Sequence, residues 1–151
     1  MIMSRVILVI GFLLYVASFF LPAVAPQGTP PGGAGIAGYI CATLTLITPF
    51  SQDGWRLLHT DAFRYFALLI SGLINPVFLI TAIALLIRPR GRFPGILRFC
   101  LPVMFVFCWV TFHYEHLVPR SGHFLWMGSI LLAAFSTLFV RTELSRSATA
   151  G

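Results

Sequence analysis

Four long apolar runs, none carrying an Asp or a Glu, constrain this chain more than anything else in it. They cover residues 6–24, 62–87, 96–112 and 124–140. Each is close to the roughly 20 residues that a helix needs to cross a bilayer. The rest of the composition agrees. Of 151 residues, 58% are hydrophobic and 9% charged, where a soluble domain carries about 25% charged. Too few polar side chains are left to cover a water-facing surface. That argues against a soluble enzyme, a disordered chain and a nucleic-acid binder. It points to one polytopic membrane domain filling residues 1–151.

The net charge of +6 comes from ten basic residues, all Arg, against four acidic ones. In a soluble protein such a balance would suggest nucleic acid. Here the arginines stand at the ends of apolar runs, where they set orientation and meet anionic headgroups. Membrane lipids are therefore the expected partners, and nucleic acid is not.

The first run has a rival reading as a secretion signal, with Arg5 before it and Ala23-Val24-Ala25 as a small-residue cleavage site. It is longer than the 7–15 residues of a typical signal core, and Pro26 would follow the cut. A retained helix is the better reading. Residues 25–35 carry three prolines and four glycines and read as a loop without regular structure. Residues 36–50 are apolar but short and dotted with Thr43, Thr45 and Thr48, as re-entrant or interfacial segments are. Residues 51–61 suit a short surface helix carrying Trp55.

Charge decides whether residues 36–50 span. If they do not, Arg5, the cluster Arg88, Arg90, Arg92 and Arg98, and Arg141 with Arg146 all fall on one side. That is the positive-inside pattern. The expected fold is thus an all-α bundle of four transmembrane helices with a re-entrant or interfacial segment in the first outer loop. Both termini would be cytoplasmic, in a bacterial inner membrane. Trp55, Tyr65, Trp109, Tyr114 and Trp126 would sit at the outer interface. The stretches FFLPA (19–23), INPVFLI (74–80) and SGHFLWMGSILLAAF (121–135) give the chain a general look. It is similar to many small four-helix proteins of bacterial inner membranes, a resemblance that implies the architecture and no activity.

Three constellations bear on chemistry. His113, Glu115, His116 and His123 bring imidazoles and a carboxylate to the outer side, where zinc or copper could bind. His59 lies on that side too. The H-E-x-x-H spacing of zinc proteases is absent. Asn75, with Ser71 and Ala67 on one face of the second run, must find a partner in the membrane interior. It would bridge to another helix, satisfy the carbonyl freed by Pro76, or line a ligand cavity or conduction path. Ser129, Ala133 and Ser136, with Gly128 beside them, form a small-residue stripe for close helix packing, inside the bundle or between subunits.

The three cysteines, Cys41, Cys100 and Cys108, read as small buried hydrophobes. Only a pair involving Cys41 could form a disulfide, because Cys100 and Cys108 lie about 12 Å apart along one helix. Spans without a carboxylate argue against a proton- or sodium-coupled transporter. No cofactor is favoured, although haem ligated by two histidines stays open. Three functions remain. The first is an accessory, regulatory or immunity-type membrane subunit working through contacts with a protein partner or its own copies. The second is a homo-oligomeric channel lined by Ser71, Asn75 and the threonines of 36–50. The third is a metal- or haem-dependent membrane enzyme.

Overall fold

A computed structural model describes residues 2–30, 33–87 and 92–149. Six helices dominate it: α1 (Ile2–Phe20), α2 (Gly38–Ile47), α3 (Gln52–Thr60), α4 (Ala62–Ile87), α5 (Arg92–Tyr114) and α6 (Ser121–Thr149). A small three-stranded sheet joins them, built from β1 (Pro22–Pro26), β2 (Ile36–Ala37) and β3 (Leu117–Pro119).

Local chemistry sets the breaks. Proline disfavours helical geometry in the residue before it, and α1 stops at Phe20 just ahead of Leu21-Pro22. Helix α2 ends at Ile47, and a single 3₁₀ turn over Thr48–Phe50, carrying Pro49, follows it. Ser51 then caps α3, its hydroxyl accepting from the Gly54 amide at 3.2 Å. Asp61 caps α4 in the same way, its carboxylate accepting from the Arg64 amide at 3.0 Å. Helix α4 runs unbroken through Pro76.

The long helices pack as two pairs, α1 along α6 and α4 along α5. Where the pairs meet, the core is built from Leu8, Ile74, Phe78, Leu101, Ile130 and their neighbours. The Tyr15 and Phe78 rings stack there at 4.4 Å. The small-residue stripe serves this packing inside the chain. Ser129 and Ala133 are buried, and a Cβ on Gly11 of α1 would already touch Ser129 and Leu132. Gly128 is not part of the seam, for a Cβ there would meet nothing. The side chain of Ser136 lies outside the described residues.

Residues 36–50 are helical and lean on the bundle. Gly72 lets α2 lie directly on α4, because a Cβ there would collide with the Thr45 carbonyl. Gly38 does the same for the start of α2 against the Ser18 carbonyl of α1. The outer face of α2 presents Tyr39, Leu44 and Ile47.

The sheet reaches into the loop expected at 25–35, whose first two residues belong to β1. Strand β1 pairs antiparallel with β2 and β3 on either side. Ala23, Val24 and Ala25, read above as the rival cleavage site, are its buried middle. Strand β3 lies in the connection between α5 and α6, and residues 22–24 belong to a strand rather than to the first apolar helix.

Among the described residues, one helix, Ala62–Ile87, is long and apolar enough to cross a membrane. The described apolar parts of the others, Arg5–Phe20, Phe99–Tyr114 and Ser121–Phe135, are shorter. By that measure the fold supports one span where the sequence reading expects four. Proline after α1 and the arginines at the start of α5 shorten the uninterrupted apolar stretches.

Candidate functional site

The polar side chains of the helices converge at the end of the bundle that carries the sheet. They surround a cavity of about 70 Å³, room for several water molecules. All the long helices contribute, with α2 as a further wall: Ser18 from α1, Thr45 from α2, Ser71 and Asn75 from α4, Thr111 from α5 and His123 from α6.

Asn75 stands at the centre. Its Oδ1 accepts a hydrogen bond from the Trp126 indole at 2.9 Å and another from the Tyr15 hydroxyl at 3.3 Å. The amide therefore bridges α4 to both α1 and α6. Two donors on one oxygen also fix which way the carboxamide faces, since its NH₂ group cannot occupy that position. Four residues before Asn75, the Ser71 and Thr111 hydroxyls meet at 2.8 Å. Each also reaches a carbonyl one turn back, Ala67 at 2.7 Å and Phe107 at 3.0 Å. Two hydroxyl protons cannot fill three such bonds at once, so one of the three contacts goes without a proton.

His123 is 96% buried, with a relative exposure of 4%. Its ring sits 4.7 Å from that of Phe112 and 5.1 Å from that of Trp126, with Phe105, Trp109 and Phe124 around it. Among the described residues its Nε2 has no hydrogen-bond partner. The residue directly precedes the apolar run 124–140. Burial lowers its pKa to about 4, because the charged form loses its hydration without gaining a counter-ion. The imidazole is neutral at physiological pH, and among the described residues no Arg, Asp or Glu lines the cavity.

The expected metal cluster is not assembled. Among the described residues no three His, Cys, Asp or Glu side chains are placed to hold one ion. His113 and His116 do not share a helix face, because α5 ends at Tyr114 and His116 takes a left-handed backbone, φ 51°. Both are exposed. Glu115 is engaged by Arg64, whose Nε and Nη2 donate to Oε1 at 2.9 and 2.8 Å. His123 is buried between rings and the cavity, and His59 is exposed on α3. Of the arginines read as orientation signals, Arg88 and Arg90 lie outside the described residues, as do the side chains of Arg92 and Arg98.

Tyr15, Trp126 and Thr111 escaped the sequence reading as parts of a polar site. The signal for the first two is chemical: a phenol or indole inside an apolar run needs a hydrogen-bond partner. Of the aromatics assigned to the outer interface, Trp126 instead bonds Asn75 and Tyr65 is buried. Trp55, Trp109 and Tyr114 are exposed. All three cysteines are free, and Cys41 and Cys108 both line the cavity. Against known protein families, characterised proteins and solved structures, the chain matches none.

Proposed function

We propose that this chain is a small multi-pass protein of a bacterial inner membrane. It works through contacts with lipid and a membrane-protein partner, as an accessory or regulatory subunit. The observation that carries the reading is the outward apolar surface of the helices. Val9 and Leu13 on α1, Ile83 on α4, and Phe99, Val103 and Val106 on α5 are all exposed. In water such surface would be an aggregation liability; in lipid it is the expected exterior. Helix lengths are compatible with four spans. The 19, 26, 23 and 29 residues of α1, α4, α5 and α6 rise roughly 28 to 44 Å, against a hydrocarbon core of about 30 Å. The arginine asymmetry then puts both ends in the cytoplasm and the sheet outside.

The channel reading draws on Thr45, Ser71 and Asn75 sharing one cavity. That cavity is followed along α4 by the packed core of Ile74, Phe78, Leu101 and Ile130. A path through a single chain would have to open the Tyr15–Phe78 stack. The contact reading is therefore preferred.

Two measurements test it. Reporter fusions at Gly91 and after Gly151 should read cytoplasmic, and one at Gly32 external. A cytoplasmic Gly32 overturns the four-span arrangement. Native purification in mild detergent should retain a stoichiometric membrane-protein partner. A lone chain or a symmetric homo-oligomer that passes solute in liposomes would replace the accessory reading with the channel.

A further inference from the structure

We infer that the cavity beneath the sheet is a binding site for an uncharged molecule presenting a hydroxyl or carbonyl group, held by His123 Nε2 and the Asn75 carboxamide.

Three observations carry this. First, His123 lines the cavity with a side chain that is 96% buried, and its Nε2 has no partner among the described residues. A buried polar atom left unpaired is costly, and native structures keep few of them. Second, Asn75 is oriented. With Oδ1 taken by Tyr15 and Trp126, its NH₂ group is turned away from both, and no partner holds it among the described residues. The site so offers a fixed amide donor and an imidazole nitrogen that can accept or donate according to its tautomer. A hydroxyl can answer both, since it donates and accepts; a carbonyl can answer the amide and the Nε2–H tautomer. Third, the site is without charge. The liners are Ser, Thr, Cys, Asn and neutral His, with Phe19, Ala42 and Phe112 between them. An ion would lose its hydration there with no counter-charge in return, so charged ligands are disfavoured.

The volume of about 70 Å³ is smaller than the roughly 150 Å³ of an engineered cavity that takes up benzene. It admits a hydroxyl or carbonyl with a carbon or two, the remainder of a larger ligand extending through the mouth. Such a group is offered by a free small alcohol or by an uncharged lipid such as diacylglycerol.

Trp126 forms part of the wall and reports occupancy. Protein carrying Trp55→Phe and Trp109→Phe, purified in detergent micelles, is titrated with 2,2,2-tribromoethanol. Bromoform, which lacks the hydroxyl arm, is the matched control. The expected result is saturable quenching of Trp126 by the alcohol and only linear, weak quenching by bromoform. His123→Phe keeps an aromatic ring in the box and should weaken the alcohol about tenfold, the effect of one hydrogen bond lost to a ligand. Ala42→Leu fills the cavity without touching either anchor and should abolish saturation. Displacement of the alcohol by micelle-borne diacylglycerol assigns the site to a lipid. Displacement by ethanol alone assigns it to a free solute. Equal, non-saturating quenching by both bromides overturns the inference, and so does an affinity that neither variant changes.

Discussion

Trp126 and Asn75, fifty-one residues apart in sequence, are joined by an indole-to-amide hydrogen bond of 2.9 Å at the centre of the bundle. Tyr15 adds a second donor to the same oxygen. One carboxamide thus ties three helices. Asn75→Leu should destabilise the protein by about 1–3 kcal/mol, because it leaves the indole and phenol donors without an acceptor. Trp126→Phe and Tyr15→Phe should each cost less, about 0.5–1.5 kcal/mol, since each removes a donor while the amide keeps the other. Thermal unfolding in detergent checks the ranking. Single losses of donor larger than the loss of Asn75 would show that ring packing outweighs the shared acceptor.

His123 makes stability depend on pH. Its folded pKa of about 4 lies below the ordinary 6.5, so between those values the unfolded chain binds more protons. Stability is then full above pH 6.5 and falls as pH drops toward 4. The loss is of the order of 3 kcal/mol for this group alone. His123→Phe should flatten that part of the profile relative to the parent. An unchanged slope would place the titration elsewhere.

Gly72 holds α2 on the bundle by letting the Thr45 carbonyl approach. Gly72→Ala should push α2 outward and speed maleimide labelling of Cys41, which lines the cavity from α2. The exposed Cys100 should label at its former rate. Unaltered Cys41 labelling would mean that α2 slides without opening.

Arg64 and Glu115 clasp the first turn of α4 to the residue following α5. Both side chains are about a third exposed, so the pair is worth roughly 0.5–1 kcal/mol. Glu115→Gln should cost that much. The exchanged pair, Arg64→Glu with Glu115→Arg, should recover part of it in a double-mutant comparison of melting temperatures.

The helices were legible because their signals are local. The apolar run 62–87 is helix α4 from its first residue to its last, and the polar stretch 51–61 holds α3 behind a serine cap. The sheet was not legible. Its strands are two, three and five residues long and rich in proline and alanine, so no alternation of apolar and polar residues marks them. They pair across gaps of many residues, and pairing, not propensity, makes them strands. The site was half legible. Asn75 and Ser71 stand out as polar residues in an apolar run. Their partners Trp126 and Thr111 lie on other helices, and only packing brings them near. The histidines part for the same reason. Proximity in sequence says little once a helix ends between His113 and His116 and His123 turns inward.

The pairing of α1 with α6 also orders events during synthesis. Helix α1 has its chief neighbour in α6, made only after α2 to α5, and β1, directly after α1, cannot meet β3 until residue 119 exists. Until α6 is made, α1 lacks that partner. The native seam closes only once α6 has been made. Slow assembly follows from such distant contacts, and a shortened chain lacking α6 would leave Gly11 and its flanking face without their partner.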